Sequence, residues 1–226
     1  MTKQPVSFLK KTSTGMLFAL ALLTAPSFSL KAQTTQSGQA EFNKAMALFE
    51  EGKIPKGIPL LQKSAALGLA KAMFELGGLY DAGAGVEMNA AKARQWYGKA
   101  AKKDHVLAMY NLGYMQAKGY GGSIDFTKAR HWYELAGNKG HAQSMYYLAN
   151  IYARGQGGLV DLAKARQWYE KAANNNHPRA MYELGKMIAR GEGGPKDIPK
   201  ARSILQKAAK NGLSQAARAL ALLAKN

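Results

Sequence analysis

The sequence predicts an all-α fold, a solenoid of about five helix-turn-helix repeats with a 36-residue period and a C-terminal capping helix. Three observations carry this prediction. Trp96, Trp132 and Trp168 stand 36 residues apart, and Ile204 takes the fourth place. The triplet Lys-Ala-Arg returns with them at 92–94, 128–130, 164–166 and 200–202. Met73, Met109, Met145 and Met181 keep the same interval, as do Leu76, Leu112, Leu148 and Leu184, and Gly83, Gly119, Gly155 and Gly191. Four copies without an insertion mean an array in which each unit buries its apolar face against its neighbours.

In chain order, residues 1–15 carry Lys3, Lys10 and Lys11 and no acid, ahead of an apolar run at 16–23 and the breaker Thr24-Ala25-Pro26. A positive start, a short apolar centre and small residues before a polar stretch read as a signal peptide over residues 1–32, with cleavage fitting after Ser29 or Ala32. As a helix the apolar run reaches only ~12 Å, against ~30 Å of bilayer hydrocarbon, so it does not read as an anchor. The expectation is a periplasmic or secreted protein that is not integral to the membrane once cleaved. Cysteine is absent, which excludes lipid modification after the leader, thiolate metal sites and thiol nucleophiles.

Residues 33–40 are polar and are expected to form a flexible start. Residues 41–69 then make a shortened first repeat. Phe42, Ala45, Met46 and Phe49 share one helical face, and a second segment at 58–67 ends at Gly68. The regular repeats are 70–105, 106–141, 142–177 and 178–213. In each, a first helix carries the Met and Leu stripe and stops at paired glycines, such as Gly83 with Gly85, which supply positive φ for the helix end and turn. A phosphate-cradling loop would need a preceding strand, and a helix precedes here. The second helix opens at Asn89, Asp125, Asp161 or Asp197, all good N-caps, with Pro199 in a first turn. Its packing stripe is Ala93, Trp96, Tyr97 and Ala100 and their equivalents. Residues 214–226 add a capping helix in which Leu220, Leu222 and Leu223 close the stack.

These patterns resemble the Sel-one-like repeat, a tetratricopeptide-like helix hairpin. The resemblance rests on Met-Tyr-x-Leu-Gly at 109–113 and 181–185, on Gly-x-Gly-Gly, and on Asp-x-x-Lys-Ala-Arg-x-Trp-Tyr-x-Lys-Ala-Ala at 161–173. It spans residues 41–226. The departures are Ala149 for Gly, Gln116 and Ile188 for Tyr, Leu135 for Lys, and Ile204-Leu205 for Trp-Tyr. It implies a right-handed α-α superhelix that serves as an adaptor or binding scaffold, in this family most often without catalysis.

Chemistry-bearing motifs are scarce. The one Ser-x-x-Lys, at 7–10, lies inside the expected leader, and no zinc-spaced ligand set or nucleophile elbow appears. Some secreted relatives of the family are β-lactamase-like, but those are cysteine-rich. His105, His141 and His177 recur once per repeat, yet neighbouring copies of a stacked unit lie ~10 Å apart, whereas metal ligands converge within about 2 Å of one ion. They read as turn-packing residues. The Trp series reads as core and the Lys-Ala-Arg series as a solvated outer face, with an anion-binding stripe as the alternative. No cofactor is implied. The chain carries 32 basic and 14 acidic residues; without residues 1–32 the balance is 28 to 14, net +14. Weak binding to anionic envelope components follows from that charge, but no specific nucleic acid is implied.

In tetratricopeptide-like arrays the first helices line a concave groove. The positions opposite the Met/Leu stripe are Tyr110, Tyr114, Lys118, Gln143, Tyr146, Asn150, Arg154, Arg179, Tyr182, Lys186 and Arg190. Aromatics alternating with cations and amides suit a protein or peptide partner, stacking on it and holding its carboxylates or main chain. Tyr110, Tyr146 and Tyr182 equally fit packing between adjacent hairpins, and the sequence leaves both readings open.

Overall fold

A computed structural model describes the backbone of residues 25–224 and the side chains of 33–224; the apolar run at 16–23 lies outside the described residues. Among these residues there are eleven helices and no strand: α1 (Ala25–Glu50), α2 (Ile54–Ala66), α3 (Ala70–Ala82), α4 (Ala90–Ala101), α5 (Val106–Lys118), α6 (Phe126–Asn138), α7 (Ala142–Arg154), α8 (Leu162–Asn174), α9 (Pro178–Arg190), α10 (Ile198–Lys210) and α11 (Ser214–Leu223). The two helices of each hairpin pack on each other, and the second of them packs on the first helix of the next repeat, which makes the chain an α-solenoid.

The helix boundaries follow from local chemistry. Asn89, Asp125, Asp161 and Asp197 each accept the backbone N–H three residues on, at 2.9 Å, and so open α4, α6, α8 and α10. The first helices are capped by their histidines. Nδ1 of His105, His141 and His177 accepts the N–H of Ala108, Ser144 and Ala180 at 3.3, 3.3 and 3.1 Å. The recurring turn histidines are therefore cap residues, a role that the spacing alone did not assign. Gly83, Gly119, Gly155 and Gly191 end α3, α5, α7 and α9 in the left-handed region.

The core runs between the two helices of each hairpin. Met109, Leu112, Met145, Leu148, Met181 and Leu184 are buried, as the stripe predicts. On the second helices the larger burial falls on tyrosine. Tyr97, Tyr133 and Tyr169 are buried, whereas Trp96 and Trp132 are only half-buried and Trp168 alone of the three is core. The expectation of a tryptophan core is corrected to that extent. The reason is geometric: the Tyr133 ring lies against Gly113, where a Cβ would stand 3.0 Å from its Cδ1, so the glycine of the Met-Tyr-x-Leu-Gly motif admits the tyrosine and leaves the neighbouring indole at the edge. Lys99 and Lys171 cover Trp96 and Trp168 at 3.9 Å from the ring centroids.

Neighbouring repeats are joined at one edge by the loop glycines. Gly121, at φ +70°, brings its backbone onto the Ala90 carbonyl at the start of α4, and Gly193 lies likewise on Leu162. Arginines of the Lys-Ala-Arg triplets reinforce these joints: Arg94 Nη1 donates to the Ser123 carbonyl at 3.5 Å and Arg166 Nη1 to that of Pro195 at 3.1 Å. The loops also expose Met88, Ile124 and Val160, one repeat apart.

Two ends depart from expectation. Residues 33–40, expected to be flexible, belong to α1, where buried Gly38 lies against α2 and its carbonyl accepts the Ser64 hydroxyl at 2.6 Å. That contact with the second helix orders a stretch whose own composition is polar. At the other end Leu220 and Leu223 pack inward, but Leu222 is 65% exposed and does not close the stack.

Candidate groove on the first helices

Within α5, α7 and α9 the Met and Leu positions face the hairpin partner, and the residue after each Met turns toward the next repeat. Tyr110 packs there against Tyr133, His141 and Tyr147, with ring centroids 6.2, 4.9 and 6.1 Å away. Tyr146 stacks on His177 at 4.8 Å and 18° between planes. Phe74 makes the same stack on His105 at 4.5 Å. Tyr110 and Tyr146 are thus packing residues between hairpins, the second of the two readings open from sequence. Tyr182 differs, because Leu213 stands where a histidine would follow; Lys186 Nζ lies 4.9 Å from the Tyr182 ring instead.

Burial holds the three cap histidines below the ordinary imidazole range, with nearby Lys71 adding to this at His105 and Arg179 at His177. They are neutral, as a cap that accepts through Nδ1 requires. His177 also meets Gln143 Oε1 through Nε2 at 3.0 Å, which fixes Nε2 as the protonated nitrogen. Gln143 is therefore committed to a joint between repeats. Asn150 is committed too: its amide donates to the Tyr146 carbonyl at 3.0 Å and its oxygen accepts the Tyr169 hydroxyl at 2.8 Å.

Among the described residues three cavities lie on this face, one of them, of about 360 Å³, between the other two and bounded by Tyr146, Arg179, Tyr182, Glu183 and Arg218. A central one of about 240 Å³ is bounded by Tyr114, Lys118, Tyr146, Asn150, Arg154 and Arg179 from the expected set, together with Tyr133, Tyr147 and Gln156. Toward the C-terminus, one of about 680 Å³ is bounded by Tyr182, Lys186 and Arg190 from the set, with Glu183, Arg218, Leu222 and Leu223. Tyr110 bounds none of the three, and Gln143 sits at a separate shallow depression beside His177 and Arg179. Tyr147 escaped the sequence reading. Its signal was present, since Glu75, Asn111 and Glu183 hold the equivalent positions and only this repeat places an aromatic there.

The central and C-terminal cavities differ in charge. Lys186 pairs with Glu183 at 2.9 Å and Arg190 with Glu192 at 3.5 Å, so two of the three cations that bound the C-terminal cavity have counter-ions, and Arg218 has none among the described residues. The central cavity has no acidic residue in its lining, and among the described residues Lys118, Arg154 and Arg179 form no ion pair. Beneath its aromatic wall the Tyr133 hydroxyl is fully buried without a hydrogen-bond partner. Burial, then the adjacent phenols of Tyr110, Tyr147 and Tyr114, push its pKa far up, so it stays protonated and able to donate.

The outer face offers less. Lys128 and Lys164 are paired with the cap carboxylates Asp125 and Asp161 at 2.9 and 3.1 Å, and Lys200 with Glu170 at 3.0 Å. With Arg94 and Arg166 engaged in loop carbonyls, those triplets serve the joints between repeats.

Comparison with known proteins agrees with this architecture. The Sel1 repeat profile matches residues 70–105, 106–141, 142–177 and 178–213. Among solved structures, a protective antigen present in uropathogenic Escherichia coli strains and displaying an SLR fold superposes with a TM-score of 0.77 at 27% identity, over 81% of this chain. The chain spans 40% of that antigen's length. A Sel1 repeat protein from Oxalobacter formigenes superposes with a TM-score of 0.70 at 29% identity, over 82% of this chain and 76% of its own. Comparison with curated proteins gives no match. With four profile matches laid end to end on four structural hairpins, the chain belongs to the Sel1 repeat family.

Proposed function

We propose that this protein is an exported, non-enzymatic scaffold that binds an extended segment of a partner protein along the face of α5, α7, α9 and α11. The observation that carries the reading is the run of cavities along that face, lined by tyrosines and by the cations Lys118, Arg154, Arg179, Lys186, Arg190 and Arg218. Membership of a repeat family whose members commonly serve as protein-interaction scaffolds supports it. Export rests on the lysine-flanked apolar run at 16–23 and places the partner in the periplasm or outside the cell.

The test uses protein recovered from the cell envelope, whose first residue by mass spectrometry should lie near 30 or 33. Ten-residue peptides from a random library are selected on the immobilised protein, and hydrogen exchange locates them. The expected result is slowed exchange in α5, α7 and α9 on peptide binding. Failure to enrich any peptide, or protection confined to α4, α6 and α8, would overturn the groove.

A further inference from the structure

We infer that the central cavity is a carboxylate site: it receives an acidic side chain of the bound segment, and thereby sets the register of that segment in the groove. The inference rests on the groove reading above and names the chemistry of its ligand.

Four observations converge on this point. Lys118 from α5, Arg154 from α7 and Arg179 from α9 surround one cavity although they belong to three successive repeats. None has an ion-pair partner among the described residues, whereas Lys186 and Arg190, further along α9, pair with Glu183 and Glu192. Unpaired cations around a partly enclosed cavity are the arrangement that favours a carboxylate, through charge-assisted hydrogen bonds and the bidentate geometry that guanidinium offers. The other bounding groups cannot supply the missing charge, since Tyr114, Tyr146, Tyr147 and Gln156 are neutral and the Asn150 amide is already bonded on both sides.

The fourth observation is the orphaned Tyr133 hydroxyl. A buried donor without a partner is uncommon and destabilising unless something completes it. Tyr133 bounds this cavity, and its ring stacks at 5.5 Å on that of Tyr147, which bounds the cavity too. An oxygen acceptor that enters between the cations and moves the Tyr147 ring completes that donor. A cavity of about 240 Å³ holds a carboxylate with one or two adjoining side-chain groups and no more. The rest of the segment then lies toward the larger C-terminal cavity, whose apolar Leu222 and Leu223 suit an uncharged side chain.

Two peptide libraries of equal complexity, identical except for a fixed central Asp in one and Asn in the other, test the inference on the immobilised full-length mature protein. The Asp library should be retained about tenfold or more above the Asn library, a factor ordinary for one charge-assisted contact. Lys118→Gln with Arg154→Gln should level the two while the circular dichroism and melting temperature hold. Lys102→Gln with Lys207→Gln removes the same charge elsewhere on the surface and should leave the preference in place; levelling by that pair would show a general effect of net charge and overturn the site. Equal retention of the two libraries, with exchange protection still on the groove, would overturn the carboxylate site and leave the groove standing. Retention of neither library would remove both.

Discussion

Tyr133 shows how one residue carries opposing demands. Its ring fills the joint between α5 and α6 at 1% exposure, yet its hydroxyl has no partner there. Removing that hydroxyl deletes an unsatisfied donor and retains the ring. Tyr133→Phe should therefore leave stability unchanged or raise it by up to about 1–2 kcal/mol, read by denaturant titration. A loss above about 1 kcal/mol would mean that the hydroxyl has a partner in solution. Tyr133→Ala should cost about 3–5 kcal/mol, more than the same change at half-buried Trp132. The sequence made the two look alike, since both recur at helical spacing beside alanines. What it did not display is the third partner: only the packed structure shows that the glycine of the facing helix receives the tyrosine.

At the scale of the helix, the legible and illegible parts separate along similar lines. N-caps, glycine stops and the Met/Leu stripe are local chemistry, and the sequence displayed them at Asp125, Gly119 and Met109. The histidine caps were half legible: their period pointed to the turns, but that Nδ1 closes the first helix depends on a ring held by Phe74, Tyr110 or Tyr146 from the preceding unit. Of the expected groove residues, those lining the cavities are the ones whose neighbours leave them free. Tyr110 and Gln143 were lost to contacts between hairpins, and Asn150, though at the cavity, to its bond with Tyr169 on the partner helix, which one-helix periodicity cannot display.

These caps also make stability depend on pH. An unfolded histidine titrates near 6.5, and the folded ones are held lower. Between the two values the unfolded chain binds more protons, so stability rises with pH. The contribution is complete above about 6.5 and is lost as pH falls through the folded values. Replacing His105, His141 and His177 together by Asn keeps a capping oxygen and removes the titration. Between about pH 7 and 5 the melting temperature of the parent should fall more steeply than that of the triple variant. Parallel curves would show that the caps do not titrate there.

For the whole molecule, what matters is how strongly one unit holds the next. Gly121 and Gly140 separate two contributions. Both have positive φ, but a Cβ on Gly121 would meet the Ala90 carbonyl of the preceding repeat, whereas one on Gly140 meets nothing within 4 Å. Gly140→Ala should cost only the left-handed strain, about 1 kcal/mol, and Gly121→Ala should cost that plus the opened joint. Hydrogen exchange should further show Gly121→Ala weakening protection on both sides of the joint, at 70–105 and 106–141. Equal costs for the two variants would mean that this loop contact does not couple the repeats.

The same joint bears on how such a chain changes length. An aromatic ring meets the cap histidine at 74 and 105, at 110 and 141, and at 146 and 177, stacked in the first and last and tilted by 52° in the middle, so this contact is common to the interior boundaries. Copying or deleting a 36-residue block inside the array keeps that contact at the new boundary. The last boundary is different, because Leu213 replaces the histidine and Ile204-Leu205 the Trp-Tyr pair. Growth by duplication is open to the middle of this chain and closed at its C-terminal end.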